Sequence, residues 1–199
     1  MDVALGRDDG RMPQEVLTLG DGDGSNLKRL TDNPAEDHVP CYSADGRWIY
    51  FVSTRSGARQ IYRIPASGGE AVQMTHSGVG VPLASSDGRW VYYTKLDRSV
   101  WKIPANGGEE APVLPPATVP NYFCFALTQV GIYYPGQLDQ VSRTVPLRLY
   151  RFVDGSTIDI SHFDKTLGLQ ISVSPDGRWF TWEQRDSSID DLILVENFR

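Results

Sequence analysis

Histidines with neighbouring carboxylates are the first residues to test for catalysis or metal binding. The chain has 199 residues and three histidines, and one of them, His38, directly follows Glu36 and Asp37. One imidazole beside two carboxylates can bind a metal ion or act as a general base. No second histidine or cysteine has a matching spacing, and His76 and His162 end equivalent strands of a repeat. The pattern favours a solvated loop at His38, and we predict no catalytic residues, no metal site and no cofactor.

The run Asp21-Gly-Asp-Gly-Ser-Asn26 resembles the start of a calcium-binding loop, with oxygen side chains at positions 1, 3 and 5. Asn26 stands where such a loop needs glycine, and Asp32 stands where it needs a bidentate glutamate. The predicted flanking elements are strands, whereas a calcium loop of this type is flanked by helices. We therefore predict a simple turn. The sequence also lacks the G-x-S-x-G motif of a serine nucleophile.

The elements that must position any site come from an internal repeat. The segment Ser43–Tyr50 returns 42 residues later as Ser85–Tyr92, and a third copy starts 89 residues after that, as Ser174–Thr181. The larger interval leaves room for one more copy. Ile132-Tyr133-Tyr134 lies 83 residues after Ile49-Tyr50-Phe51 and identifies that copy, which has lost its Asp-Gly turn. A fixed period of this kind indicates an array of one supersecondary unit.

Each repeat is typical of four short antiparallel strands. The Asp-Gly dipeptide supplies the positive φ of a tight hairpin turn between the first two strands. Strands such as Gln60–Ile64 alternate apolar and polar residues, as a strand with one covered face should. Four strands every ~40–45 residues are typical of a propeller blade. We predict an all-β chain, a β-propeller of four-stranded antiparallel blades.

The strand count predicts an incomplete arc of about four to five blades, since a closed ring needs complete blades throughout. Such an arc would expose blade edges and favour self-association. The predicted divisions are a poorly ordered segment at 1–13, the outer strands of a first blade at 14–32, full blades at 39–76, 80–114 and 119–162, and an incomplete last blade at 168–199.

The composition and charge of the chain limit the kinds of partner that it is expected to bind. A net charge of −6 and a pI near 5.0 argue against a nucleic-acid surface, which needs clustered Lys and Arg. No apolar run approaches the roughly 18 residues of a membrane span, and residues 1–10 lack the basic start and apolar stretch of a signal peptide.

Two cysteines raise the question of a disulfide. Cys41 and Cys124 are predicted at one position of the innermost strand in blades two repeats apart, with Leu83 at that position between them. A disulfide needs Cα atoms within ~7 Å, which the intervening blade prevents. We predict buried free thiols that pack as small hydrophobes.

The repeat is most complete in Pro40-Cys-Tyr-Ser-Ala-Asp-Gly-Arg-Trp-Ile-Tyr-Phe-Val-Ser-Thr-Arg-Ser-Gly57, followed by Gln60-Ile-Tyr-Arg63. This pattern resembles the WD-like repeat of TolB-type β-propellers over about residues 14–199, although the copy around 129–136 departs from it. The ending at 190–199 is similar to the C-terminus of bacterial multidomain regulators, in which a DNA-binding or kinase domain precedes such a propeller. The resemblance implies a non-catalytic binding and sensing module, in the bacterial periplasm or cytoplasm.

A binding site is expected where loops gather around the central channel of the propeller. These are the loops that enter each innermost strand and those between the second and third strands. The longest, 136–146, is bracketed by Pro135 and Pro146, and its mixed charges suit a protein or peptide partner or a polar small molecule. A tolerated insertion that binds nothing is the alternative. A further alternative for the chain is an accessory propeller that gates substrates for a serine peptidase. The predicted binding residues are Asp37, His38, Arg55, Asp97, Arg98, Asp139, Arg143 and Arg185.

Overall fold

A computed structural model of the chain describes residues 2–7, 15–164, 167–174, 176–186 and 189–196. Within these ranges every regular element longer than a turn is a β-strand. None of the described segments forms a helix with the length and hydrophobicity that a membrane span requires. The predicted all-β fold class is confirmed.

The strands of the described residues form five sheets, and strands that follow one another in the chain are neighbours in each sheet. Sheet 1 contains β1 (Asp2–Arg7), β2 (Glu15–Gly20) and β3 (Lys28–Arg29). Sheet 2 contains β4 (Asp37–Tyr42), β5 (Trp48–Ser53), β6 (Gln60–Pro65) and β7 (Val72–Gln73). Sheet 3 contains β8 (Val79–Ala84), β9 (Trp90–Lys95), β10 (Val100–Pro104) and β11 (Ala111–Leu114). Sheet 4 contains β12 (Ala126–Leu127), β13 (Gly131–Pro135), β14 (Val145–Arg151) and β15 (Thr157–Phe163), and sheet 5 contains β16 (Leu167–Val173), β17 (Trp179–Asp186) and β18 (Ile189–Glu196).

The chain divides into two compact units. The N-terminal unit comprises the residues up to Leu96 together with Trp101–Ala111, and the C-terminal unit comprises Asp97–Val100 and the residues from Pro112 onward.

The repeated Ser-x-Asp-Gly-Arg-Trp motif builds the hairpin turn between the first two strands of a sheet. In the first copy, Asp45 Oδ1 accepts hydrogen bonds from Ser43 Oγ at 2.6 Å and from the Arg47 amide at 3.1 Å. The Trp48 amide donates to Ser43 Oγ at 2.9 Å, and Gly46 has the positive φ of 70° that the turn requires. Hydrogen bonds from Ser43 and Arg47 lower the pKa of Asp45 to about 2. The motif is therefore scaffold, because its polar groups bond to one another.

The core of the N-terminal unit follows from strand alternation in β5. Ile49 and Phe51 pack in a cluster with Leu17 of sheet 1, whereas Tyr50 and Val52 pack in a second cluster with residues of sheet 3. Each of these β5 residues is at most 1% exposed. A fully buried side chain of this size contributes about 1.5–3 kcal/mol, so β5 anchors its sheet on both faces.

The C-terminal unit has a corresponding core between sheets 4 and 5. Tyr133, Leu147 and Leu149 of sheet 4 pack against Phe180 and Trp182 of sheet 5. This cluster fixes β13 and β14, which residues 136–144 connect; the last two residues of the predicted loop 136–146, Val145 and Pro146, already belong to β14.

Two segments of the first 42 residues form strands that the sequence pattern does not predict. Residues 2–7, expected to be poorly ordered, form β1, which pairs with β2 along its whole length from Asp2–Gly20 to Arg7–Glu15; residues 8–14 lie outside the described residues. β4 starts at Asp37, two residues before the predicted blade at 39–76, so Asp37 and His38 belong to β4 and pair with Ser53 and Val52.

The calcium-like run at 21–26 is a turn, as predicted. Asp23 accepts hydrogen bonds from the Ser25 amide and hydroxyl, and the Asn26 amide group donates to Asp21 at 2.6 Å. Within the described part of the chain, no group of three or more His, Cys, Asp or Glu side chains is arranged to hold a metal ion.

Neither Cys41 nor Cys124 is in a disulfide, and Cys124 is buried as predicted, whereas Cys41 is only partly buried. The prediction that the two cysteines occupy the same strand position is wrong. Tyr133 is the repeat counterpart of Tyr50, but Tyr50 pairs with Cys41 whereas Tyr133 pairs with Ala126 and not with Cys124. Burial raises the pKa of Cys41 to about 11 and that of Cys124 to about 12.

Because the thiolate is the reactive form, both thiols are expected to react slowly with a disulfide reagent at pH 8. Labelling should accelerate at least tenfold in urea, since unfolding returns each pKa to its ordinary value. Stopped-flow absorbance with the native and unfolded chain measures both rates, and fast native labelling of Cys124 would contradict the buried position.

Candidate functional site

In the N-terminal unit, the structure brings Asp37 and Arg55 together. Asp37, the first residue of β4, has no exposed surface, and the Arg55 side chain is 16% exposed. Arg55 Nη2 donates to both carboxylate oxygens at 3.0 and 2.9 Å, and Arg55 Nε donates to Ser53 Oγ at 2.9 Å. The guanidinium also lies over the ring of Tyr62, 4.8 Å from its centroid. Both predicted binding residues are thus used inside the scaffold.

His38 is not the solvated loop residue that the sequence favours. Its side chain is 13% exposed, and Nδ1 lies 3.5 Å from Glu15 Oε2. Burial, followed by the positive charge of Arg59, lowers the pKa of His38. The imidazole is therefore neutral at pH 7 and packs between β4 and the start of β2.

In the C-terminal unit, three loop segments are joined by hydrogen bonds. We call residues 97–98, 115–121 and 136–146 the loop cluster. The Ala117 amide donates to the Asp97 carbonyl at 2.8 Å, and Arg98 Nη1 donates to the Pro120 carbonyl at 3.4 Å. Gln137 Nε2 donates to the Ala117 carbonyl at 3.1 Å. Four of the predicted residues, Asp97, Arg98, Asp139 and Arg143, lie in this cluster.

Backbone strain concentrates in the same segments. Arg98, Ala117 and Arg143 have φ of 65°, 59° and 58°, in the left-handed region that residues with a Cβ rarely adopt. Each such residue costs about 1–2 kcal/mol, and strained residues of this kind are enriched at functional sites. The strain marks the loop cluster as a place where function can lie.

Loop 136–146 is held by its own hydrogen bonds. The Gly136 amide donates to the Pro146 carbonyl at 2.7 Å, and the Asp139 amide donates to the Thr144 carbonyl at 2.8 Å. Asp139 Oδ1 accepts from the amides of Val141 at 2.7 Å and Ser142 at 3.1 Å. These amides, that of Ser142 first, lower the pKa of Asp139, so its carboxylate fixes the loop throughout the neutral range.

The loop holds two apolar side chains in solvent. Val141 is 95% exposed and Leu138 is 40% exposed. A single exposed apolar residue is common on protein surfaces, but here an ordered backbone presents both on one loop.

A cavity of about 460 Å³ lies beside this loop. Arg148 Nε pairs with Asp159 Oδ1 at 2.9 Å in its wall. Its lining includes Pro115, Ala117, Tyr134, Gln137, Arg148 and Asp159. The cavity therefore combines apolar surface with one charged pair. Two of its lining residues, Gln137 and Ala117, form the hydrogen bond that joins two segments of the loop cluster.

Arg185 does not lie in a loop. The sequence predicts it in the loop between the second and third strands of the last blade, but β17 extends to Asp186 and Arg185 pairs with Asp190 of β18.

Sequence reasoning missed the segment 115–121, which links the other two parts of the loop cluster. Prolines at 115, 116 and 120 are the signal that could have identified it as an ordered connection.

A family model described as the TolB beta propeller domain (PD40) matches residues 7–114, more than half of the chain. The chain belongs to the TolB β-propeller family. A segment of it is 42% identical over 57 residues to the Tol-Pal system protein TolB of Bordetella pertussis, a match that covers 29% of this chain and 13% of that protein.

Solved structures extend the TolB-like fold beyond the matched segment. The crystal structure of TolB from Acinetobacter baumannii superposes with a TM-score of 0.73 and 18% identity, covering 92% of this chain and 46% of that chain. A crystal structure of puromycin hydrolase superposes with a TM-score of 0.65 and 13% identity, covering 92% of this chain and 31% of that chain. This TolB-family chain therefore spans less than half of the length of each of these relatives.

Proposed function

We propose that this TolB-family chain is a non-catalytic module that recognises a protein or peptide partner through the loop cluster. The observation that carries the proposal is an ordered loop, 136–146, that exposes Val141 and Leu138 beside a cavity. Association then gains from covering apolar surface.

Preorganisation supports this role. Ordering a flexible loop on binding costs conformational entropy, and the hydrogen bonds of Asp139 and of the Gly136 and Pro146 backbones supply that order in the free chain. The exposed apolar side chains can then bind with little further ordering.

The module is proposed to act within a larger bacterial regulatory protein. Support for a larger protein comes from coverage, since the match spans only 46% of the TolB structure from Acinetobacter baumannii. The name of the Bordetella relative assigns that protein to the Tol-Pal system, which supports an interaction role.

An accessory propeller that filters substrates for a serine peptidase is the second candidate. The similarity in fold to puromycin hydrolase favours it. A hydrolase domain encoded in the same gene, with peptidase activity in the full protein, would support this candidate over the first.

Val141→Asp tests the interaction role. We expect at least tenfold weaker partner binding, because a charge replaces apolar surface at the centre of the contact. The partner is first identified by cross-linking and mass spectrometry on the full-length protein, and affinity is then measured by calorimetry. Val153→Asp is the matched control, since Val153 is 85% exposed in the turn between β14 and β15 and should leave affinity unchanged.

Replacement of residues 136–144, the connection between β13 and β14, by a two-residue turn is a second test of the site. Unchanged affinity in that variant, with circular dichroism equal to the parent, would place the site outside the loop.

A further inference from the structure

A groove of about 450 Å³ lies in the N-terminal unit between two copies of the repeated turn. One wall is the turn at 43–48 with Arg63 of β6, and the other is the turn at 86–88 with Ala105 and Asn106. The two turns approach closely, because a Cβ on Gly88 would stand 3.7 Å from the Cβ of Ala44. We call this the turn groove.

The carboxylates of the turn groove already have hydrogen-bond partners. Asp45 accepts from Ser43, the Arg47 amide and Arg47 Nε. Asp87 accepts from Ser85, the Arg89 amide and Arg89 Nε in the same arrangement. The acceptors at the rim are therefore used inside the turns.

One donor of a groove-lining side chain is not used in this way. Arg63 Nη1 donates to the Ala105 carbonyl at 3.2 Å, but Arg63 Nε is buried and has no hydrogen-bond partner among the described residues. The guanidinium is held in place over the Trp48 ring, 4.6 Å from its centroid. Tyr50 donates to the same Ala105 carbonyl at 3.1 Å, which leaves that oxygen fully occupied.

Two exposed side chains add further donor capacity. Ser86 and Asn106 both line the groove and are exposed. Within the described part of the chain, neither side chain makes a hydrogen bond, so both can turn toward a ligand.

We propose that the turn groove binds a carboxylate group, with Arg63 as the principal donor and Asn106 as a supporting one. A guanidinium and a carboxylate form a charge-assisted hydrogen-bonded pair. The carboxylate can belong to a small carboxylic acid or to the C-terminus of a peptide. The proposal concerns the N-terminal unit and does not rest on the role of the loop cluster.

The charges around the groove favour a single negative charge on the ligand. Asp45 and Asp87 lie at the rim with side chains 45% and 42% exposed. Hydrogen bonds from Ser43 and Ser85, respectively, are the largest cause that lowers the pKa of each to about 2, so both are ionised at neutral pH. Repulsion from these two carboxylates disfavours a dianion such as phosphate.

Three probes test the site: acetate, N-acetyl-leucine with a free carboxylate, and N-acetyl-leucinamide, in which the carboxylate is capped. Nuclear magnetic resonance shifts of the Trp48 indole and the Asn106 amide measure binding. We expect saturable shifts with both carboxylates and none with the amide. Tighter binding of N-acetyl-leucine than of acetate would identify a peptide C-terminus as the source, and equal binding would identify a small acid.

Arg63→Gln is expected to weaken carboxylate binding at least tenfold. Lys102→Gln is the matched control, because Lys102 occupies the same strand position in sheet 3 and lies 4.3 Å from the Trp90 ring centroid. It should leave affinity unchanged. Asn106→Ala changes only an exposed side chain and should weaken binding about threefold without affecting folding.

Three results would overturn the proposal. They are the absence of saturable shifts with either carboxylate, inorganic phosphate binding as tightly as acetate, and equal affinity in folded Arg63→Gln and the parent.

Discussion

Asp37→Ala is expected to lower the free energy of unfolding by about 3–5 kcal/mol, because it leaves the Arg55 guanidinium without its carboxylate in a largely buried position. Asp37 has no exposed surface and both of its carboxylate oxygens accept from Arg55 Nη2. Urea unfolding followed by circular dichroism measures the change, as a lower midpoint with an unchanged slope.

Arg47→Ala is the control for this pair. Arg47 also pairs with an aspartate, Asp45, at 2.6 Å, but its side chain is 79% exposed. Solvent and salt screen an exposed pair, so it contributes little to stability, and the midpoint should hardly move. Equal effects of the two substitutions would show that burial does not set the strength of the Asp37–Arg55 interaction.

The repeated parts of the fold could be predicted from the sequence because their causes are local. The turn at Ser43–Trp48 is closed by hydrogen bonds between residues at most five apart. The alternation of β5 places Ile49 and Phe51 on one face and Tyr50 and Val52 on the other. Both features can be recognised in a short window of sequence.

Features that depend on distant partners could not be predicted in this way. The Asp37–Arg55 pair joins residues 18 positions apart, and β4 begins at Asp37 because Ser53 pairs with it. Similarly, β17 extends through Arg185 because β18 supplies a partner at Asp190. The end of a strand is set by where its neighbouring strand offers a pairing partner, and the type of the terminal residue says little about where the strand ends.

At the candidate site, the arrangement of the loop cluster likewise depends on contacts between distant residues and could not be predicted from the sequence. The length of loop 136–146 and its prolines are visible in the sequence, and so are the charges of Asp97 and Arg98. Their association depends on the bond from Gln137 to the Ala117 carbonyl and on the bond from Ala117 to the Asp97 carbonyl. These bonds join three separate segments, and no periodic pattern indicates them.

Sheet 4, which carries loop 136–146, also has a close backbone approach that requires glycine. A Cβ on Gly131 would stand 1.9 Å from the carbonyl oxygen of Tyr150 and 2.9 Å from its carbonyl carbon. Gly131 is the first residue of β13, and it pairs with Arg151 at the end of β14. The glycine therefore lets the two backbones approach at the end of the hairpin opposite the loop.

Gly131→Ala is expected to destabilise the C-terminal unit by about 3 kcal/mol, since the clash is with backbone and β14 must shift to relieve it. Gly22→Ala is the control, because a Cβ on Gly22 would have no atom within 4 Å, and it should change stability little. Urea unfolding gives the size of the effect for both variants. Amide shifts of residues 136–146 should move in Gly131→Ala alone, because β13 leads directly into that loop. A Gly131→Ala chain as stable as the parent would show that β13 and β14 can separate at this end without losing the packing of Leu147 and Leu149.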